Sequence, residues 1–162
     1  MKVEKWILSV LLGAIVILGV VVTLQINRLQ TVVADAAQSD YELAIGMNQL
    51  QTWMDKLYFS GTAENWPLAD FYLHEIEETA EAMMMANLVK NEQPLTPLIE
   101  SMMMPVVDDL EAVVDAADAE GFLRHYDMLI NACNACHANT GYGYIQMQRP
   151  ERPAFSNQRF EP

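Results

Sequence analysis

DAEGFLRHYDMLINACNACHANT, residues 118–140, is the stretch on which the fold turns. Phe122, Tyr126, Leu129, Cys133 and Cys136 recur at alternating spacings of four and three, the period of an amphipathic helix. Asp118 begins that helix, and Gly141 and Gly143 release the chain beyond it. Its last turns hold Cys133-Asn134-Ala135-Cys136-His137. On a helix, Cys133, Cys136 and His137 stand at i, i+3 and i+4, so all three project from one side. That side is the core side, continuous with Tyr126 and Leu129.

C-x-x-C-H is the attachment signature of a c-type haem. The two thiols form thioether bonds to the haem vinyl groups, and the imidazole binds the iron from one face. Both cysteines of the chain lie inside this motif. A structural disulfide in so short a loop would staple little chain. A thioredoxin-like pair needs a strand and helix context, and nothing here reads as βαβ. A zinc site needs about four ligands, and His74 and His125 lack the usual ligand spacing. The expected cofactor is therefore one covalently attached haem c, with Cys133 and Cys136 as the attachments and His137 as an axial ligand.

The formal net charge is −13, from 22 Asp and Glu against 9 Lys and Arg. That balance argues against nucleic acid as a partner, which needs a basic patch, and against electrostatic docking on anionic lipid. It suits a redox partner with a basic docking face, whose encounter it would speed; a merely solvated acidic face gives the same count. Methionine occurs 11 times. Met83-Met84-Met85 and Met102-Met103-Met104 read as core and helix-contact filler, because three consecutive side chains cannot all face one metal.

Trp6 to Leu24 carries no charge and is almost wholly apolar. As a helix it spans about 28 Å, close to a hydrocarbon core of about 30 Å. Residues 1–25 read as a transmembrane signal-anchor. Lys2 and Lys5 precede the run, so the positive-inside rule puts the amino terminus in the cytoplasm. The expected location is a bacterial inner membrane, crossed once, with the remaining chain periplasmic. A cleaved signal peptide is the rival, since Ala34-Asp35-Ala36 has a small-x-small form. About ten mostly polar residues separate it from the apolar run, which favours the anchor.

Ile26, Leu29, Val33, Ala36, Asp40, Leu43, Met47, Leu50, Met54 and Leu57 follow at spacings of three and four. This is an a/d seam broken in character at Asp40. Residues 26–40 read as a helical connector that could pair with another copy or within a membrane complex. From Leu43 the seam reads as the first helix of a domain, 41–140. Asn65 caps and Pro67 opens a second helix, Trp66 to Lys90, with Leu68, Tyr72, Ile76, Thr79 and Met83 inward. A turn covers Asn91 to Pro94. Thr96 and Pro97 open a third helix to Ala117, kinked at Pro105. The tail, 141–162, reads as an extended wrap. The expected fold class is all-α, an antiparallel four-helix bundle behind a transmembrane helix.

Such a bundle ending in C-x-x-C-H resembles the class II c-type cytochromes, cytochrome c′ and cytochrome c-556, over roughly Leu43 to Thr140. The runs KLYFSGTAENWPLADFYLHEIEE and CNACHANTGYGYIQMQRP also resemble a membrane-anchored bacterial subset of c-type cytochromes. The resemblance implies a haem inside the bundle, His137 on one side of the iron, and a first-helix residue on the other. In that subset a histidine often stands where this chain has Met54. The tail from Gly141 departs from simple cytochromes c′, which end soon after the motif.

Met54 and Met47 lie on the inward seam, and Met147 lies ten residues past His137. Met54 is the first candidate distal ligand, with Met47 and Met147 as alternatives; each also reads as ordinary packing. A six-coordinate His–Met iron suits electron transfer, the expected function. A five-coordinate iron would make a gas-binding or sensing module for NO or CO. A haem-bearing accessory subunit of a membrane redox complex is the third reading. No acid–base pair points to an enzyme. Lys56 and Arg124 could meet haem propionates or simply be solvated. His74, His125, Trp53 and Trp66 read as structural.

Overall fold

The computed structural model describes the backbone of residues 2–155 and 157–162, and the side chains of these other than 2–6, 8–10, 35, 37 and 41. Lys2, Lys5 and Trp6, on which the expected orientation and the start of the apolar run depend, lie outside the described side chains. The chain is all-α apart from one minimal hairpin. Its order is α1 (Lys2–Thr62), α2 (Trp66–Met85), β1 (Val89–Lys90), β2 (Gln93–Pro94), α3 (Thr96–Leu98), a π-helical stretch Ile99–Met103, α4 (Met104–Asp115) and α5 (Ala119–Asn139). Two units separate, Met1–Ser39 and Asp40–Pro162.

In the first unit every side chain from 11 to 34 is exposed. Its apolar window has a mean hydropathy of 1.9 and none of it is buried. By length and composition α1 can cross a membrane. Thr23 is the one polar side chain between Leu11 and Leu24. Its hydroxyl donates to the Gly19 carbonyl at 2.8 Å, so the stretch presents no unpaired donor there.

The second unit holds the core. Leu50, Met54 and Leu57 of α1 are buried there, so the a/d seam is an interior stripe from Leu43 onward. Tyr72, Leu73, Ile76, Ala80 and Met83 of α2 meet that stripe. Thr79, expected inward, is half-buried and turns its hydroxyl to the Glu75 carbonyl at 2.7 Å; Leu73 and Ala80 fill the interior instead. Val107, Leu110 and Val114 of α4 pack toward α2 and α5. Phe122, Tyr126, Leu129 and Ile130 complete the core from α5. The Tyr126 hydroxyl donates to the Met54 carbonyl at 2.9 Å, tying α5 to α1.

Four local expectations are corrected. α2 stops at Met85, not Lys90, because Asn87 takes φ +50°. Asn91 and Glu92 then both take positive φ, the requirement of a two-residue type I′ hairpin, and pair Val89 with Pro94 and Lys90 with Gln93. Asn65 stands at the N-cap of α2 without a side-chain cap; its amide instead donates to the Phe160 carbonyl at 2.9 Å. Thr96 lies inside α3 behind the cap residue Leu95, and its hydroxyl donates to the Met84 carbonyl at 3.0 Å. The helix before Pro105 shifts to π geometry, the Met104 N–H reaching back five residues to the Ile99 carbonyl. α4 then restarts with Pro105 in its first turn, where a missing N–H removes no bond.

Asp118 caps α5 by accepting from the Gly121 N–H at 2.9 Å. At the other end Gly141 takes φ +85° and turns the chain back, with the Tyr142 N–H donating to the His137 carbonyl at 2.7 Å. The tail has no regular structure, yet it is fastened along its length. Arg149 grips Asp127. Asp55 accepts from the Ala154 N–H at 3.2 Å, and Gln158 bonds the Tyr72 hydroxyl. Phe160 is buried against Phe59, ring centroids 5.8 Å apart.

Candidate functional site

The last two turns of α5 face the stretch of α1 from Asp40 to Met54 across two adjoining apolar spaces. One, of about 280 Å³, is lined by Leu43, Met47, Lys90, Cys136, His137 and Tyr142 among others. The second, of about 300 Å³, is lined by Met47, Leu50, Met54, Cys133, His137 and Met147 among others. Ala44, Met47, His137 and Ile145 border both. Together they fall in the range of roughly 300–1,000 Å³ common for cofactor sites.

Cys136 therefore opens on the first space and Cys133 on the second, while His137 borders both, so the i, i+3, i+4 spacing sets all three along one side of α5. Both cysteines are half-buried and in no disulfide. Burial pushes the Cys133 thiol up to about 12, with the neighbouring Cys136 adding to the rise. Burial raises the Cys136 thiol as well. At neutral pH both are thiols and stay protonated.

The imidazole of His137 is oriented by the tail. Its Nδ1 lies 2.9 Å from the Ile145 carbonyl oxygen. A carbonyl oxygen only accepts, so Nδ1 carries the proton and the ring's lone pair sits on Nε2. This is the tautomer a metal-binding histidine needs, with its second ring nitrogen held by a backbone acceptor.

The three methionines singled out from the sequence all line the second space. Met54 is the most enclosed, 2% exposed, with its Sδ 3.9 Å from Cys133 Sγ. Met47 and Met147 are partly buried against the core. The other residues considered lie elsewhere. Lys56 sits over the rings of Trp53, Tyr72 and Phe155 at 5.1, 5.2 and 4.9 Å. Arg124 pairs with Glu120 at 2.6 Å on the surface. His74 lies exposed beside Glu77 and Glu78. His125 Nδ1 donates to the Gly121 carbonyl at 2.8 Å. Trp53 stacks on Tyr72 and Trp66 meets Phe122 edge-on, both as core packing.

Sequence reasoning missed Lys90, Asn134 and Ile145. Among the described residues Lys90 is the one Lys or Arg lining either space. It ion-pairs with Asp40 at 2.8 Å and lies 5.9 Å from the Tyr142 ring centre. Its ammonium pKa is raised, chiefly by the Asp40 hydrogen bond and then by Tyr142. Asn134 and Ile145 act through the tail fold, which no local pattern announces.

Comparison with protein-family models, with curated proteins and with solved structures finds no match. Among the described residues no group of three or more His, Cys, Asp or Glu is gathered to hold a bare metal ion. The chemistry of the site is of another kind. Two thiols on one helical turn, an imidazole with Nε2 available, thioether side chains opposite and an apolar slot could hold a flat, covalently attached macrocycle with its own metal.

Proposed function

We propose that this chain is a membrane-anchored monohaem c-type cytochrome. On this reading Asp40–Pro162 includes a class II-like four-helix bundle that transfers electrons on the periplasmic side of a bacterial inner membrane. The observation that carries it is the 2.9 Å approach of His137 Nδ1 to the Ile145 carbonyl oxygen, one residue beyond two unbridged thiols on the same turn. Haem c would supply a one-electron ferric–ferrous couple. Cys133 and Cys136 form the two thioethers, and His137 ligates through Nε2. Met54 is the first candidate for the opposite axial position, with Met47 and Met147 as alternatives. Lys90 replaces Lys56 and Arg124 as the cation suited to a propionate, because it borders the slot and they do not. The apolar part of α1 spans the membrane with its amino terminus cytoplasmic, and a redox protein with a basic face is the partner.

The test is an absorption spectrum of the detergent-extracted protein in both redox states, with and without CO. A covalent haem, low-spin when reduced and slow to take CO, supports electron transfer. A protein exported with haem attachment machinery that carries no covalent haem would sink the proposal. The apolar lining around Leu43, Ala44 and Leu50 favours one second reading, a five-coordinate haem that binds NO or CO. Rapid CO binding to a high-spin ferrous form would select it.

A further inference from the structure

The tail is bonded to the attachment turn at two residues. His137 Nδ1 donates to the Ile145 carbonyl at 2.9 Å. Asn134, in the variable position between the cysteines, uses both ends of its amide. Its Nδ2 donates to the Met147 carbonyl at 3.0 Å, and its Oδ1 accepts from the Met147 N–H at 2.7 Å. Further on, Arg149 donates to both Asp127 carboxylate oxygens at 2.6 Å and to the Leu123 carbonyl at 3.1 Å. Ile145 itself is 43% exposed, so burial of its side chain does not place its carbonyl. Its own N–H donates to the Tyr142 carbonyl at 2.7 Å, and the bonds at Met147 and Arg149 hold the segment that follows.

We propose that Asn134 is a positioning residue for His137. By holding Met147 it fixes the extended segment that presents the Ile145 carbonyl to Nδ1, and so sets the donor strength of Nε2 toward the iron. The proposal rests on the haem reading above. A carbonyl accepting from Nδ1–H makes the imidazole a stronger donor. A stronger donor favours ferric over ferrous iron and lowers the reduction potential. Releasing the tail weakens that acceptor, and the potential rises.

The experiment uses the full-length, haem-bearing protein in detergent. Haem content, midpoint potential and amide hydrogen exchange at Met147 are measured for the wild type, Asn134→Ala and Asn134→Leu. In Asn134→Ala, Met147 exchange becomes faster, and at fixed potential the ferrous-to-ferric ratio rises about tenfold, at the lower end of the range for groups behind a metal ligand. That equals about 59 mV for one electron. Asn134→Leu, uncharged and of similar size, loses both bonds to Met147, so its shift has the same sign and a similar size. It carries the test alone if Asn134→Ala does not mature. Unchanged Met147 exchange, or faster exchange with an unmoved potential, overturns the proposal. A wild-type chain without haem overturns the functional reading and this inference together, whereas a haem-bearing wild type with an unmoved variant overturns this inference alone.

Discussion

Met54 presents two different atoms to α5. Its carbonyl accepts from Tyr126, and its sulfur lies against Cys133. Only the second depends on the side chain. Met54→Ala would open a void at a core position and lose about 2–5 kcal/mol. Met54→Leu keeps the volume and should lose less than about 1.5 kcal/mol. If Met54 is the distal ligand, Met54→Leu keeps its covalent haem, loses the low-spin ferrous spectrum and binds CO. An unchanged spectrum would shift the ligand to Met147 or Met47, which the same substitution then separates. Tyr126→Phe removes one buried hydrogen bond and should lower stability by about 1 kcal/mol in urea unfolding. The thiols make a prediction for the chain before haem attachment. The folded pKa of Cys133 lies above its ordinary value of 9, so stability is full below pH 9 and falls as pH rises toward about 12. Alkaline unfolding of the haem-free chain should therefore weaken in Cys133→Ser, whose hydroxyl does not ionise in that window. At this scale the sequence was readable where spacing carried chemistry: Cys133, Cys136 and His137 line two adjoining spaces that meet at His137, because a helix puts i, i+3 and i+4 on one side. It was silent on Asn134 and Lys90, whose partners lie 13 and 50 residues away.

Two glycines of α1 show how closely the elements approach and why the effects of filling them differ. A Cβ on Gly61 would run into the ring of Phe122, which is 0% exposed and hemmed by Trp66 and Tyr126. One on Gly46 would meet the Met83 thioether, the far end of a flexible side chain. Gly61→Ala should lower stability by about 1–3 kcal/mol through overpacking. Gly46→Ala should be nearly neutral, since helix propensity offsets the contact by up to about 1 kcal/mol. Equal losses for the two in denaturant unfolding would count against this account of the α1–α5 contact. Element boundaries divide along the same line between local and distant causes. The start of α5 was legible because Asp118 caps it locally. The starts of α2 and α3 were legible too, although Asn65 and Thr96 spend their polar groups on Phe160 and Met84 rather than as caps; the end of α2 was not, because Asn87 turns the chain at positive φ. Pro105 signalled an interruption, but whether a proline kinks a helix or is absorbed by a π turn upstream depends on packing that a sequence window does not contain.

On the scale of the whole molecule, the apolar run and the acid balance address different partners. Exposed Leu11 to Leu24 has no protein neighbour to bury it among the described residues, and a bilayer would do so. If the segment is an uncleaved anchor, the mature protein resists salt extraction, needs detergent, and retains the apolar run in its measured mass. Cleavage near Ala36 would return a salt-soluble chain. The net charge of −13 bears instead on encounter. On the proposed function, attraction between this domain and a basic redox protein would act over a screening length of about 10 Å at 0.1 M salt and about 3 Å at 1 M. Orientation by charge changes association rates more than it changes contacts once formed. Stopped-flow reduction of the haem-bearing protein by a basic donor should therefore slow steeply as salt rises through that range, while reduction by a small neutral donor should not. A rate that ignores salt with both donors would remove electrostatic docking and leave the proposed haem site untouched, because Cys133, Cys136 and His137 take their geometry from the core and tail rather than from the surface field.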